Sequence, residues 1–285
     1  MPRAAATPAV VLTIAGFDPT SGAGITADIK AIAANDGYGV ACITALTVQN
    51  TRETRAFHPV DAALLAEQLE FLLSDVQPQA VKIGMLGTAE TVRTVAQALH
   101  RHPAPWVVLD PIIRASSGAR LLDDEGVEVM KRELLPLVSV MTPNLMEAEL
   151  LAGMPVHNLA DMERAAAGLR RLGPPCAIIT GGHLEKPMDL LDDGGHVFTF
   201  TAERVRTGNT HGTGCTFSAA LAANLAKGKP VRDAVVLAKA YVTAALKNSY
   251  PVGTGHGPLN HLYRLRHPAP LKNVDPAPLP EHTTR

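Results

Sequence analysis

Residues 207–228 read T-G-N-T-H-G-T-G-C-T-F-S-A-A-L-A-A-N-L-A-K-G, which predicts a loop that runs into a helix. Gly212 and Gly214 allow backbone conformations that a side chain would hinder. From Thr216 onward, small and apolar residues recur at helical spacing. A loop of this kind directs unpaired N–H groups and the positive end of the helix dipole at one place, and such a place suits a phosphate.

Cys215 lies at the mouth of this loop. The field that holds an anion also lowers the pKa of a thiol, so we expect a lowered pKa and a reactive cysteine here. A tight turn before a core helix also needs glycines. Gly-Thr-Gly alone therefore leaves a purely structural interpretation open.

The composition is that of an ordinary globular protein, with 285 residues, 46% hydrophobic residues and a net charge of −1. The absence of a basic block and the 4% of aromatic residues argue against nucleic acid as a partner. No apolar run reaches about 18 residues, so we expect no membrane span. The N-terminus has one arginine, Arg3, and then enters a strand, so we expect no signal peptide and a cytoplasmic protein.

The cysteines Cys42, Cys176 and Cys215 are widely spaced. Since no C-x-x-C pair occurs, neither a structural zinc site nor a disulfide framework is indicated. Cys42 and Cys176 lie in apolar strands, and we predict that both are inert core residues.

Strand and helix patterns alternate along the chain. Strands are predicted at 9–15, 40–48, 80–86, 106–109, 138–141 and 177–180, and helices at 25–35, 62–75, 88–101, 123–133, 144–151, 159–172 and 231–248. Apolar strands separated by helices indicate a parallel sheet covered on both faces, and residues 188–191 and 197–201 predict a hairpin. We therefore predict one three-layer α/β/α domain over 9–266, a loose lead at 1–8 and a Pro-rich, disordered tail at 267–285.

Several notable residues follow predicted strands, at the edge where open α/β sheets bind their ligands. They are Asp18, Gln49, Met85, Asp110, Asn144, Glu147, Gly182 and Cys215. Structural alternatives exist for some of them, because Asp-Pro pairs start turns and Asn144 with Glu147 could form a capping box. Their convergence on one edge favours a ligand site.

A set of motifs occurs in a fixed order along the chain. They are A-G-F-D-P-T-S-G-A-G-I-T-A-D-I-K (15–30), I-T-A-L-T-V-Q-N-T (43–51), V-K-I-G-M-L (81–86), V-L-D-P (108–111), T-P-N-L-M-E-A (142–148), G-G-H (181–183) and N-T-H-G-T-G-C-T-F-S-A-A (209–220). The set resembles the hydroxymethylpyrimidine/phosphomethylpyrimidine kinases of thiamine biosynthesis, in the ribokinase superfamily. The resemblance implies a ribokinase-like fold with a mostly parallel central sheet, and a flap at 48–59 over the substrate.

The resemblance also implies an activity, its cofactors and its site residues. The activity is transfer of phosphate from ATP, with Mg²⁺, to 4-amino-5-hydroxymethyl-2-methylpyrimidine and then to its monophosphate. The implied residues are Gly16, Asp28, Gln49 and Met85 in the pyrimidine pocket, Gly212, Thr213, Gly214 and Cys215 in an anion hole with Cys215 as base, Asn144, Gly182 and His211 for the cofactor, and Glu147 and Asp110 for magnesium. Because members of this family are often dimers, we expect a homodimer.

Two departures from the family pattern remove positive charge expected near the phosphates. Thr180 stands where most members have lysine before G-G-H, and Ser116 stands where many have lysine in A-K-S-G. Arg114 and Arg120 are the candidates for compensating this loss. Phosphoryl transfer depends on charge neutralisation and positioning, so the departures bear on the rate and on the second phosphorylation.

Two alternatives stay open. One is a pyridoxal kinase or a dual-specificity kinase, since both substrates are rings with a hydroxymethyl group. Pyridoxal kinases have an aspartate at the position of Cys215. The other is a non-catalytic pyrimidine-binding protein, which the missing lysines suggest.

Overall fold

The computed structural model describes residues 7–115, 118–182 and 187–266. Expectations that concern residues 1–6 of the lead, Ser116, His183 and the tail at 267–285 lie outside these ranges. Thr7 precedes the first strand and is exposed. That residues 9–266 fold as one unit stays a prediction.

The described chain builds a nine-stranded sheet in the order β3-β2-β1-β4-β5-β6-β7-β8-β9. The strands are β1 (Ala9–Phe17), β2 (Gly37–Gln49), β3 (Thr54–Pro59), β4 (Ala80–Ile83), β5 (Trp106–Leu109), β6 (Val140–Met141), β7 (Cys176–Gly181), β8 (Met188–Asp192) and β9 (Val197–Thr201). The strands β1, β2 and β4 to β7 pair in parallel, whereas β3, β8 and β9 pair antiparallel at the two edges. The predicted mostly parallel sheet and the β8–β9 hairpin are confirmed.

Helices cover both faces of the sheet. They are α1 (Gly24–Ala34), α2 (Ala62–Asp75), α3 (Ala89–Arg101), α4 (Asp124–Val129), α5 (Leu145–Ala152), α6 (Leu159–Arg170), α7 (Thr213–Ala226) and α8 (Val231–Lys247). Leu12 and Ile14 of β1 pack in one apolar cluster with α2 to α6, whereas Val11 packs in a second cluster with α1, α7 and α8. Successive side chains of a strand point to opposite faces, so the two clusters lie on opposite sides of the sheet and the three-layer architecture is confirmed.

Two elements differ from the prediction. The flap region contains the edge strand β3, which is short and polar and ends at Pro59, so its sequence carries only a weak strand pattern. The helix predicted at 123–133 ends as α4 and continues as a π-helical segment, Met130–Leu134, and a 3-10 turn. Pro136 in that turn explains the change, since proline clashes with the carbonyl group four residues earlier in an α-helix.

The parallel strands carry their carboxyl ends to one edge, where the loops after β1, β4, β5 and β6 and the start of α7 meet. Across the described ranges, every helix falls short of the length and apolar character that crossing a membrane requires.

Candidate active site

The N-terminus of α7 is open to a ligand. Gly212 precedes the helix with φ of 80° and provides no side-chain cap. A Cβ on Gly212 would lie 1.8 Å from the carbonyl oxygen of Gly22, so glycine is required for the loop after β1 to approach the loop before α7. The first-turn amides of Gly214 and Cys215 have no acceptor within the helix, and Gly214 is exposed. This arrangement suits an anion.

The threonine of the predicted anion hole has a structural task. Thr213 donates from its hydroxyl to the carbonyl oxygen of Thr210 at 2.7 Å, and its amide donates to the same oxygen at 3.3 Å. These bonds hold the loop shape, while the backbone amides that follow are left for a ligand.

The thiol of Cys215 is buried beside this helix start, with 7% of the residue exposed. Burial raises the pKa of Cys215, and the negative charges of Asp110 and Asp28 raise it further. Lys82 and the amide of Gly24, which donates to the sulfur, act in the opposite direction without reversing the shift. The expected lowering of this pKa is therefore wrong for the protein without ligands, because desolvation of the thiolate outweighs the helix dipole.

A buried ion pair, formed by Lys82 and Asp28, lies close enough to Cys215 to affect its pKa. Lys82, in the middle of β4, places Nζ 2.9 Å from Oδ2 and 3.1 Å from Oδ1 of Asp28, and the hydroxyl of Thr13 donates to Oδ2 at 2.7 Å. The side chains of Lys82 and Asp28 have no exposed surface. The expected direct contact of Asp28 with the pyrimidine is therefore corrected, because this carboxylate already has its partners below the surface.

Lys82 was not anticipated as part of the site, although the sequence contains a signal for it. A lysine within a strand that is covered on both faces must bury its ammonium group, and it then needs an acidic partner. Burial alone would lower the pKa of Lys82, but the charges of Asp28, Cys215 and Asp110 outweigh burial and raise it. Lys82 therefore stays charged close to the predicted base.

Glu147 lies in the first turn of α5 and forms a capping box with Asn144. The amide of Asn144 donates to Glu147 Oε2 at 2.9 Å, and the amide of Glu147 donates to Asn144 Oδ1 at 3.0 Å. The structural interpretation of these two residues is thus confirmed. Burial and the negative charge of Asp110 also raise the pKa of Glu147 to about 8.

Asp110 follows β5 and is likewise buried. It accepts a hydrogen bond from the hydroxyl of Ser218 at 3.2 Å, and a Cβ on Gly214 would lie 4.0 Å from its Oδ2. Burial raises the pKa of Asp110, as it does for Glu147. Buried carboxylates that repel each other fit a hard cation such as Mg²⁺, which would stabilise both charges. Within the described chain no three His, Cys, Asp or Glu residues converge, so a cation here would draw its other ligands from phosphate or water.

Two predicted pyrimidine residues meet at this edge of the sheet. A Cβ on Gly16 would lie 3.0 Å from the sulfur of Met85. Met85 packs with Ala45 and Leu121, and Phe57 of β3 packs against the same small cluster. The structure therefore brings Gly16 and Met85 together beneath the flap strand, with an apolar surface that suits an aromatic ring.

Gln49 contacts the loop before α7. Its Nε2 lies 3.2 Å from Nε2 of His211, which lies 2.7 Å from Oδ2 of Asp18. His211 was expected to bind the cofactor, and the structure places it next to the predicted pyrimidine residue Gln49. Asp18 had been noted only as a residue at a strand end.

A cleft of about 530 Å³ lies between β9 and α8. It is lined by Phe200, Thr201, Ala202, Glu203, Val236, Lys239, Ala240, Thr243, Ala244 and Lys247. Lys239 donates to Asp189 Oδ2 at 2.5 Å, and Asp189 Oδ1 accepts from the amide of Gly181 at 3.1 Å. The cleft therefore adjoins the end of β7, where Gly182 is exposed.

Arg114 and Arg120, the candidates for replacing the charge of the missing lysines, have different surroundings. Arg120 donates to the carbonyl oxygen of Leu122 at 2.9 Å and pairs with Asp124, so its guanidinium is held at the start of α4. Arg114 is exposed, and its backbone forms a bridge with that of Arg120. Thr180 directs its hydroxyl to the carbonyl oxygen of Pro143 at 3.4 Å.

Comparison with known proteins identifies the family. A family model described as phosphomethylpyrimidine kinase matches residues 18–260. The chain is 44% identical over 254 residues to the thiamine biosynthesis bifunctional protein ThiED of Geobacter sulfurreducens, covering 88% of this chain and 52% of that protein, so it spans about half the relative's length. It is also 44% identical over 258 residues to the hydroxymethylpyrimidine/phosphomethylpyrimidine kinase of Haemophilus influenzae, covering 88% of this chain and 96% of that one.

A solved structure agrees with these sequence matches. The ADP complex of Bacillus subtilis pyridoxal kinase superposes with a TM-score of 0.84 at 34% identity, covering 92% of this chain and 100% of that chain. The ribokinase-like fold expected from the sequence is thus confirmed. The chain belongs to the phosphomethylpyrimidine kinase family.

Proposed function

We propose that the protein transfers the γ-phosphoryl group of ATP to the primary hydroxyl of 4-amino-5-hydroxymethyl-2-methylpyrimidine, and then to the resulting monophosphate. One observation carries this proposal: the loop after β1 and the loop before α7 meet at Cys215. Gly22 and Gly212 touch there, and the amide of Gly24 donates to the Cys215 sulfur. A ring held by the first loop would present its hydroxyl to an anion held by the second.

Gly16, Met85 and Gln49 hold the pyrimidine in this proposal. Met85 supplies an apolar surface for the ring, and the absence of a side chain at Gly16 lets the Met85 sulfur pack against the end of β1. The amide of Gln49 can donate to a ring nitrogen and accept from the exocyclic amino group. This pair of bonds would fix the orientation of the hydroxymethyl group.

The amides at the start of α7 stabilise the transferring group. Gly212, Thr213, Gly214 and Cys215 form the turn, and the amides of Gly214 and Cys215 stabilise charge that develops on the phosphoryl oxygens. Cys215 takes the proton of the substrate hydroxyl. It acts as a base only as thiolate, and Lys82 is the buried cation that favours this form. In a loose transition state the hydroxyl loses its proton late, so the thiolate is needed only once the bond to the leaving phosphate is largely broken.

Magnesium and the nucleotide have candidate partners at the same edge. Asp110 and Glu147, with Asn144 beside them, would hold Mg²⁺, which supplies charge neutralisation for phosphoryl transfer. Gly182 and the cleft between β9 and α8 would take the nucleoside of ATP, with His211 on the phosphate side. The ADP bound in the Bacillus subtilis relative supports a nucleotide in this fold.

We further propose a cytoplasmic homodimer. Phe71 and Leu64 are exposed on α2, and the edge strand β3 is not paired on its outer side within the described chain, which supports a contact between copies. The three cysteines are free thiols, which supports a reducing compartment.

Mass spectrometry of the products formed from ATP, Mg²⁺ and hydroxymethylpyrimidine tests the activity, with pyridoxal in a parallel reaction. Pyrimidine monophosphate and diphosphate are the expected products. Faster turnover of pyridoxal would favour the pyridoxal kinase alternative, which the similarity to the Bacillus subtilis enzyme keeps open. A ligand-dependent rise in melting temperature without ADP release would instead indicate a binding protein.

A further inference from the structure

Asp18 connects the loop after β1 to the loop before α7. Its Oδ1 accepts from the amide of Thr20 at 2.8 Å, and its Oδ2 accepts from the Thr20 hydroxyl at 2.9 Å and from the amide of Ala23 at 3.0 Å. The remaining partner is His211, with Nε2 at 2.7 Å from Oδ2. Asp18 is 3% exposed, so this carboxylate has little access to solvent.

The ring of His211 is held on several sides. A Cβ on Gly22 would lie 2.3 Å from Cδ2 of His211, so the glycine backbone packs directly on the imidazole. The amide of His211 donates to the carbonyl oxygen of Gly257 at 3.1 Å. The side chain of His211 is 13% exposed. Backbone and side chain contacts thus leave the ring little freedom to turn away from Asp18 and Gln49.

The hydrogen on His211 Nε2 is determined by Asp18. Burial raises the pKa of Asp18, but the hydrogen bonds from His211 and Thr20 outweigh burial and lower it, so the carboxylate is ionised at neutral pH. An ionised carboxylate only accepts hydrogen bonds, so Nε2 of His211 must carry the hydrogen and donate it.

This assignment constrains Gln49. Its amide lies 3.2 Å from the same Nε2. Because that nitrogen already donates, an NH₂ group of Gln49 facing it would place two donors against each other. Rotation of the Gln49 amide by about 180° exchanges its oxygen and nitrogen, so that Oε1 faces Nε2. The Nε2 hydrogen is then shared between two acceptors, Asp18 Oδ2 and Gln49 Oε1, and the contact is favourable. The NH₂ group then points away from His211.

We propose that Asp18 and His211 are positioning residues that fix the Gln49 amide with Oε1 toward His211 and NH₂ toward the substrate, and so select a ring that presents a hydrogen-bond acceptor beside an amino group. Oε1 has a second lone pair, which remains for the amino group. The inference rests on the proposed function, because it assumes that Gln49 contacts the pyrimidine. It adds that residues which never touch the ring determine which ring is bound.

A double-mutant cycle on Asp18→Asn and Gln49→Ala tests the coupling. Binding of hydroxymethylpyrimidine is measured by calorimetry without ATP. Loss of one neutral hydrogen bond weakens binding by about twofold to tenfold, and we expect this for each single variant. In the Gln49→Ala background, Asp18→Asn should change affinity by less than about twofold, because its target is gone. An equal loss in both backgrounds would overturn the proposal.

Matched variants separate positioning from loop stability. Thr20→Val removes a donor to Asp18 without touching His211, and its effect on affinity should be the same with and without Gln49. If Asp18→Asn does not fold, His211→Phe replaces it in the cycle, since it keeps a ring and removes the donor. If the wild-type protein does not bind the pyrimidine at all, the proposed function fails rather than this inference.

The protonation of His211 gives an independent readout. In protein labelled with ¹⁵N-histidine, the Nε2 signal that His211→Phe abolishes should be that of a protonated nitrogen. In Asp18→Asn the share of the tautomer with its hydrogen on Nε2 should fall, because the carboxylate that favours it is gone. An unprotonated Nε2 in the wild-type protein would overturn the proposal, because Gln49 would then face an acceptor.

Discussion

Lys82 Nζ lies 2.9 Å from Asp28 Oδ2, and neither side chain has any exposed surface. The pair joins α1 to the centre of the sheet at the edge where the site is assembled. Removing one partner of a buried ion pair typically costs about 3–5 kcal/mol, because an uncompensated charge is left behind. We expect Lys82→Met to lower the free energy of unfolding by about that amount, measured by urea denaturation.

The double variant Lys82→Met with Asp28→Leu is the control for this prediction. It leaves no unpaired charge, so it should be more stable than Lys82→Met alone. A double variant whose loss equals the sum of the two single losses would argue against an energetic link between these residues.

His261 should make the protein less stable in acid. This residue is 3% exposed, and its Nε2 lies 2.9 Å from the Thr216 hydroxyl on α7. Burial, and to a smaller extent the positive charge of Lys30, lowers its pKa from 6.5 to about 3. Between these two values His261 is protonated in the unfolded chain but not in the folded chain. The free energy of unfolding therefore falls as the pH drops from about 6.5 toward 3.

His261→Gln should flatten this acid dependence in urea titrations between pH 7 and pH 4. His58→Gln is the matched control, because His58 is exposed on β3 and should leave the dependence as it is in the wild type. Equal acid sensitivity in His261→Gln and the wild-type protein would show that another group is responsible.

Glu147 should make stability depend on pH in the opposite sense. Its pKa rises from 4.5 to about 8 in the folded protein. Between these values the unfolded chain releases a proton that the folded chain keeps, so the free energy of unfolding falls as the pH rises from about 4.5 to 8. Glu147→Gln keeps the capping geometry and removes the titration, and it should remove this fall while barely changing stability at pH 4.5.

The magnesium proposal adds a second expectation for the same variant. Mg²⁺ should raise the melting temperature of the wild-type protein at pH 8.5 more than that of Glu147→Gln, and the variant should need more Mg²⁺ for turnover. Glu128→Gln, on the exposed face of α4, serves as control. If Glu147→Gln lowers stability at all pH values and leaves the magnesium requirement unchanged, Glu147 serves only as a cap.

Most of the fold could be predicted from the sequence. Short apolar runs such as 106–109, separated by helices, indicate strands of a parallel sheet that is buried on both faces. β3 was missed since an edge strand tolerates polar residues and ends here in Pro59. Within the site, the sequence pattern identified the residues that follow the strands, but it did not predict how far each side chain is buried. Asp28 and Cys215 differ from expectation for this reason: burial and the charge of Lys82 depend on the packed structure.

Cys215 provides the test of the proposed base. Loss of a general base typically costs about 10²–10⁴-fold in rate, so kcat of Cys215→Ser should fall within that range. Cys215→Asp places a carboxylate base at the same position and should recover part of the activity. Cys42→Ser is the control, since Cys42 packs in the apolar cluster below α2 and α3 and should leave kcat unchanged.

The raised pKa of Cys215 also changes what is expected of its reactivity. Alkylation should be slow in the protein without ligands, as for Cys42, whose pKa is raised to about 11 by burial. If kcat of Cys215→Ser stays within about threefold of the wild type, Cys215 is not the base, because even the low end of the expected range is far larger. The amides of Gly214 and Cys215 would survive that result, since the serine keeps the backbone, and catalysis would then rest on positioning and charge.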